Sequence, residues 1–260
     1  MTALSEVLRY MKPPYIFGAS TRGTLHLKEG LPCQDAFLYD LIDNRIGVIA
    51  VADGLGSAVH SDLGALIAVK SAILKAKDSV NSTRLDDLPE LPIHMLNAAR
   101  EGIQEAATLA GLNVSDLATT LIVVLFGPDF VFTAQIGDGA AVGLIGGELR
   151  MLSGPSESEY TNEVIPITDR DWEQHIRYSQ IREVAQALAV FTDGCQRASL
   201  IKRDGNYEPF GRFFHPVFSF ALSIDDTKRA EEELSLFLNS PKMTKFSEDD
   251  KTMVLAIVGD

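Results

Sequence analysis

Two hydrophobic rhythms alternate along this chain. YIFGAST (15–21) has the β-rich composition of a strand, and AFLYDLIDNRIGVIAVAD (36–53) reads as two strands joined by a turn at DNR. SDLGALIAVKSAILKAK (61–77) changes period. Leu63, Leu66, Ile67, Val69, Ile73 and Leu74 form the stripe of an amphipathic helix that Ser61 or Asp62 would cap. A polar, proline-containing connection follows. IHMLNAAREGIQEAATLAG (93–111) is then a second helix, stopped by Gly111. Next comes a dense run of strands, TTLIVVLF, DFVFTAQI, AAVGLI and ELRML, with turns at GPD, GDG and GG. It reads as an antiparallel meander. SGPSESEYTNEVIPITDRD is loop-like, with a short strand expected at Val164 to Ile167. ALAVFTDG and MVLAIVGD are further strands, and DTKRAEEELSLFLNS is a charged amphipathic helix.

Strands come in antiparallel runs with the two long helices together between them, not in βαβ alternation. The expected class is α+β, with two packed sheets and helices outside. The whole chain, 1–260, is expected to form a single domain. No apolar run reaches the roughly 20 residues that span a bilayer, and the N-terminus lacks the pattern of a signal peptide. A soluble cytoplasmic protein with no membrane partner is expected. The net charge of -13 argues against nucleic acid as a partner and suits divalent cations. The two cysteines, Cys33 and Cys195, form no CxxC pair, so packing is their expected role. His60, His94, His175 and His215 lack metal-ligand spacing, and Trp172 reads as a packing aromatic.

One pattern carries chemistry. Three apolar strands end in Asp-Gly: Asp53-Gly54, Asp138-Gly139 and Asp193-Gly194. Asp249 and Asp250 stand just before another strand, and Asp35 begins one. Carboxylates on strand ends can converge as hard oxygen ligands for Mg2+ or Mn2+. Glycine after the aspartate leaves room for a backbone carbonyl or a phosphate to approach. Each pair is also an ordinary turn, and Asp138-Gly139 alone suits a hairpin.

The ordered set CQDAF, VADGLGS, ATTLIVVLF, AQIGDGAAVGL, VFTDG and EDDKTMVLAIV resembles the metal-dependent type 2C protein serine/threonine phosphatases, the bacterial branch in particular. EYTNEVIPIT is similar to a segment of one bacterial subgroup. The resemblance runs from about Gly18 to Val258. It implies a four-layer α-β-β-α sandwich and a centre of two Mg2+ or Mn2+ ions with a weaker third. Asp53 would bridge the two ions, the Gly54 carbonyl would bind one, and Asp193 and Asp249 the other. Asp35 would orient the water between them, and Asp138 would serve the third. The cations would neutralise the phosphomonoester and acidify that water for in-line attack, with no phospho-enzyme.

The chain departs from the family at Gln34, where many members have glutamate, and at Leu55, where animal members have histidine. Gly30 stands where the phosphate-binding arginine is usual. Arg22, by a guanidinium fork, or His26, when protonated, would replace it. His26 is favoured as lying on the first strand's continuation, and Asp249 is favoured over Asp250 as ligand. The implied partner is a phosphorylated protein, a kinase or its target. The alternatives are a degenerate phosphatase fold serving as a regulatory binding module and a hydrolase of small phosphorylated metabolites.

Overall fold

The computed structural model describes residues 14–42, 44–82, 85–155 and 164–258. Two five-stranded antiparallel sheets pack face to face with helices outside both. The first sheet has the order β1 (Tyr15–Thr21), β12 (Lys251–Ile257), β9 (Ala185–Phe191), β6 (Ala140–Ile145) and β7 (Glu148–Ser153). The second has the order β2 (Asp35–Ile42), β3 (Ile46–Asp53), β4 (Leu121–Gly127), β5 (Phe130–Ile136) and β8 (Arg177–Ile181).

Side-chain alternation along β3 explains the layering. Ile49 and Val51 point inward against Ile122, Val124, Val190 and Val254, forming the core between the sheets. Val48, Ala50 and Ala52 point outward beneath α2 (Ser61–Ser82) and α3 (Leu91–Ala110). On the other side, Met253 and Leu255 of β12 and Phe191 of β9 pack under α5 (Gly211–Leu222) and α6 (Thr227–Leu238). A central strand buried on both faces cannot show polar alternation. This is why VIAVA and MVLAIV read as continuous apolar runs. The expected α-β-β-α sandwich is present.

Several local expectations change. The supposed meander divides: β4 and β5 belong to one sheet, β6 and β7 to the other, so the Gly137–Gly139 turn is a sheet switch and not a hairpin. Val164 to Ile167 form no strand; Ile167 contributes a single backbone hydrogen bond to the Thr119 carbonyl, 2.9 Å. Arg100 holds that segment by donating to the carbonyls of Ile167 and Asp169, and its guanidinium lies 5.5 Å from the buried Trp172 ring. Ser61 is already inside α2 and its buried hydroxyl has no hydrogen-bond partner, so it does not cap the helix. All of EYTNE falls outside the described residues, as does Asp43 of the DNR turn. Among the described residues no helix is long and apolar enough to cross a membrane.

Unassigned from the sequence were α1 (Thr24–Glu29), α4 (Gln196–Ser199), the hairpin β10 (Leu200–Arg203) and β11 (Asn206–Pro209), α5, α7 (Pro241–Thr244) and β8.

Gly64 gives a test in which two effects oppose. Alanine in a helix interior ordinarily stabilises by about 1 kcal/mol over glycine. Here the added Cβ would stand 2.1 Å from the Leu117 carbonyl oxygen, a backbone atom that cannot rotate away. Gly64→Ala is therefore expected to lower the melting temperature by at least about 4 °C, the sign opposite to helix propensity. Thermal unfolding followed by circular dichroism checks it; an unchanged or raised midpoint contradicts the packing described.

Candidate metal centre

The β2–β3 hairpin sets the first pair of carboxylates. Its register puts Asp35 directly opposite Asp53. The Asp53 backbone is tied on its other side to β4. Its N–H donates to Thr120 Oγ1 (3.0 Å), and its carbonyl accepts from the Thr120 N–H (2.8 Å) and the Thr119 hydroxyl (2.9 Å). Gly54 donates its N–H to the Gln34 carbonyl, 3.1 Å. A side chain at Gly54 would put Cβ 2.6 Å from the Ser61 carbonyl oxygen. Glycine is required here by the close approach of α2.

Asp138 arrives from the sheet switch. Gly137 and Gly139 both have φ of 84°, a left-handed conformation that glycine adopts without strain. The buried Gln135 organises this turn. Its amide nitrogen reaches the carbonyls of Gly137 (3.1 Å), Asp138 (2.9 Å) and Gly139 (3.1 Å), and its carbonyl accepts from Ser153. An amide has two hydrogens, so at least one is shared.

Asp193 follows β9 in a short 3-10 turn. Just before it, the Thr192 hydroxyl accepts from the Thr252 N–H (3.1 Å) and donates to Asp35 Oδ2 (2.8 Å). One hydroxyl thereby links the first sheet to the carboxylate at the edge of the second. Gly194 packs so closely on the next loop that a Cβ there would be 1.8 Å from the Asp250 carbonyl oxygen.

The two adjacent aspartates of that loop divide their tasks. Asp250 is buried. Its Oδ1 accepts from the Gly23 N–H (2.6 Å), and its Oδ2 accepts from the Gln34 N–H (2.6 Å) and faces His26 Nδ1 (2.9 Å). Asp249 is exposed and lines the cleft beside Asp193. Asp250 thus serves the backbone, and Asp249 is the member of the pair that faces the cleft.

Carboxylate oxygens of Asp53, Asp138 and Asp193 lie within 4.8 Å of one another. Burial, and then the neighbouring charges of Asp35, Asp193 and Asp138, push the Asp53 carboxyl well above the usual range. Asp35 is raised likewise, chiefly by burial, against the lowering effect of its threonine hydrogen bonds. Asp193 is raised by burial and then by Asp249. Asp35 Oδ1 and Asp193 Oδ1 are buried with no hydrogen-bond partner. Orphaned anionic oxygens grouped with further carboxylates are the donor set a hard divalent cation takes. The residues fit such a group.

The centre opens on a cleft of ≈ 1070 Å3 whose wall carries Asp138, Asp193 and Asp249 and also Arg197, Lys202 and Lys245. Arg197 is exposed, and its charge acts to lower the Asp193 carboxyl. Neither Arg22 nor His26 is among the lining residues. His26 lies in α1 rather than on a strand continuation and is buried against Asp250. Arg22 is exposed and donates to the Leu31 carbonyl, 3.1 Å. Cys33 and Cys195 stay close to the site, and burial, then Asp35, pushes both thiols up, Cys33 to about 12. Sequence reasoning missed Thr192, Gln135 and Arg197. The first two could have been suspected as polar residues inside apolar strand endings; Arg197 carried no motif signal.

The family model described as Protein phosphatase 2C matches residues 22–239. Serine/threonine-protein phosphatase 3 of Escherichia coli (strain K12) is 33% identical over 245 residues, covering 92% of this chain and 96% of that protein. Among solved structures, a bacterial serine phosphatase superposes with a TM-score of 0.65 at 12% identity, covering 96% of this chain and 98% of that one. The catalytic domain of the serine threonine protein phosphatase PstP, in complex with 2 manganese ions, superposes with a TM-score of 0.61 at 16% identity over 95% of this chain and 99% of that one. The motif order, the sandwich with its converging aspartates and these matches agree: the chain belongs to the protein phosphatase 2C family.

Proposed function

We propose that this protein is a Mg2+- or Mn2+-dependent serine/threonine phosphatase that hydrolyses phosphoserine and phosphothreonine monoesters in proteins. The observation that carries the reading is the Asp53, Asp138 and Asp193 cluster, with orphaned oxygens on Asp35 and Asp193, opening on a cleft that also presents cations. The E. coli relative named as a serine/threonine phosphatase and the manganese complex of PstP support it. The reading covers the whole chain, 1–260, as one domain; the pairing of β1 with β12, from opposite ends of the sequence, supports this. Its partners would be phosphorylated proteins, a kinase or its target among them, and its setting the cytoplasm, where free thiols stay reduced.

Asp53 would bridge two cations, the Gly54 carbonyl would serve one, and Asp193 and Asp249 the other. Asp138 would hold a weaker third. The bound cations would supply charge neutralisation of the phosphate and an acidified water. Asp35, anchored through Oδ2 by Thr192, keeps Oδ1 for a hydrogen bond that orients the attacking water. Arg197 replaces Arg22 and His26 as the proposed phosphate contact, since its guanidinium offers a two-pronged donor in the cleft. His26 acts through Asp250, which it helps to hold. Gln34, neutral where a carboxylate is common, leaves one cation held by fewer charges.

Asp53→Asn is expected to lower kcat for p-nitrophenyl phosphate at least about 1000-fold at saturating Mn2+ while the protein stays folded. In chelator the same change should raise the melting temperature by about 2–4 °C, because it removes a charge facing Asp35. Turnover like wild type would refute the bridging role.

The pH dependence has a definite sign. Raised carboxyls bind more protons in the folded, cation-free state than in the unfolded chain. Stability in chelator is therefore fully present below the ordinary aspartate value, about 3.9, and is lost as pH rises through the raised values. Mn2+ competes with those protons, so its stabilisation should grow with pH over that window. Melting curves with chelator and with Mn2+ at several pH values test this; a Mn2+ effect independent of pH contradicts it.

Arg197→Ala should raise KM for p-nitrophenyl phosphate about tenfold, and Arg22→Ala less than about twofold. Steady-state kinetics of both variants decides between them, and the reverse ranking returns the phosphate contact to Arg22.

A further inference from the structure

The stretch GRFFHPVFSFAL forms α5, whose aromatic residues run from the core to its edge. Phe214 and Phe218 enter the core under the first sheet. Phe213 and Phe220 are only partly buried at the edge of that core, and with Pro216, Phe237 of α6 and Phe246 after α7 they line a groove of ≈ 610 Å3. Phe213 lies 5.9 Å from Phe237, ring centroid to centroid, and Phe246 is 38% exposed. Half-buried aromatic rings around an open groove are a surface that a partner can cover.

Two features say what covers it. First, Lys245 and Phe246 line both this groove and the cleft of the metal centre, so the two lie side by side on one face. Second, the rim is cationic in a chain of net charge -13. Arg212, Lys242 and Lys245 stand around it, and among the described residues none forms an ion pair with a carboxylate. The rim's one acid, Glu233, is paired with Arg229 at 2.9 Å. Two copies of so acidic a chain repel, which disfavours a second copy as occupant. A short acidic segment entering the cleft meets the local cations within a Debye length of roughly 8 Å, where they outweigh the distant charge.

We propose that the groove docks a segment of the phosphoprotein substrate itself. A bulky apolar side chain enters among Phe213, Phe220 and Phe237, and acidic neighbours face Arg212 and Lys242. The inference rests on the phosphatase reading. It makes the groove a specificity surface: occupancy concentrates the phosphorylated residue at the metal centre, and lowers KM for such proteins without touching the reacting atoms.

The test separates docking from chemistry. A fluorescent, unphosphorylated peptide of about ten residues, with one phenylalanine among glutamates, is titrated with the full chain and followed by anisotropy. Phe237→Ala and Lys242→Glu should each weaken binding about tenfold, as should replacing the peptide's phenylalanine by serine. For the matching phosphoserine peptide KM should rise similarly with kcat unchanged, and p-nitrophenyl phosphate kinetics should not move. Lys242 is exposed, so its variant keeps the test valid if Phe237→Ala loosens α6. Equal binding by wild type and Lys242→Glu overturns the proposal. So does a concentration-dependent dimer, seen by sedimentation, that both substitutions abolish while peptide binding persists; that outcome assigns the groove to a second copy. Wild-type protein that binds the peptide but hydrolyses no aryl phosphate with Mn2+ instead refutes the phosphatase reading.

Discussion

Like charges forced together are the constraint on which the rest of this molecule depends. Asp53, Asp138 and Asp193 are held within 4.8 Å, with Asp35 opposite Asp53 across the hairpin. In the cation-free state their repulsion and burial resist folding. Three devices hold them. The strands that carry Asp53 and Asp193 are buried on both faces and cannot shift without opening a core. Gly54 and Gly194 bring α2 and the Asp250 loop into backbone contact, so that no residue with a Cβ fits. Thr119, Thr120, Thr192 and Gln135 fix the backbone or carboxylate of Asp53, Asp35 and Asp138 by hydrogen bonds. A divalent cation turns the same geometry from a cost into a source of stability.

That economy divides the polar residues near the centre into two groups. Asp250 and His26 spend their capacity on backbone N–H groups and on each other, holding the segment from Gly23 to Gln34 against the final strand. Asp249, Asp193 and Arg197 face open cleft. Position in sequence does not separate them: Asp249 and Asp250 are neighbours with opposite surroundings. The cations of the cleft stand beside those of the aromatic groove, so an acidic protein presents a local group of positive charges where an anionic substrate would arrive.

What the sequence by itself determined was local. Periodicity located α2, α3, α6 and most strands, because their apolar faces repeat at 3.6 or 2 residues. The three Asp-Gly strand endings located the acidic centre, because chemistry of that kind needs rigid carboxylates followed by bare backbone. α5 escaped because its apolar residues form a broad band at Phe213, Phe214, Val217, Phe218, Phe220 and Ala221 and Pro216 lies inside it, so no narrow stripe stands out. Tertiary structure decided everything that depends on which segments meet. Gly137–Gly139 reads as a hairpin because a turn's residues do not say whether the next strand stays in the same sheet; only packing of β6 beside β9 does. His26 reads as a phosphate ligand because it precedes Asp35 closely in sequence. Its fate was set by Asp250, 224 residues away, whose buried carboxylate required partners that no local pattern reveals.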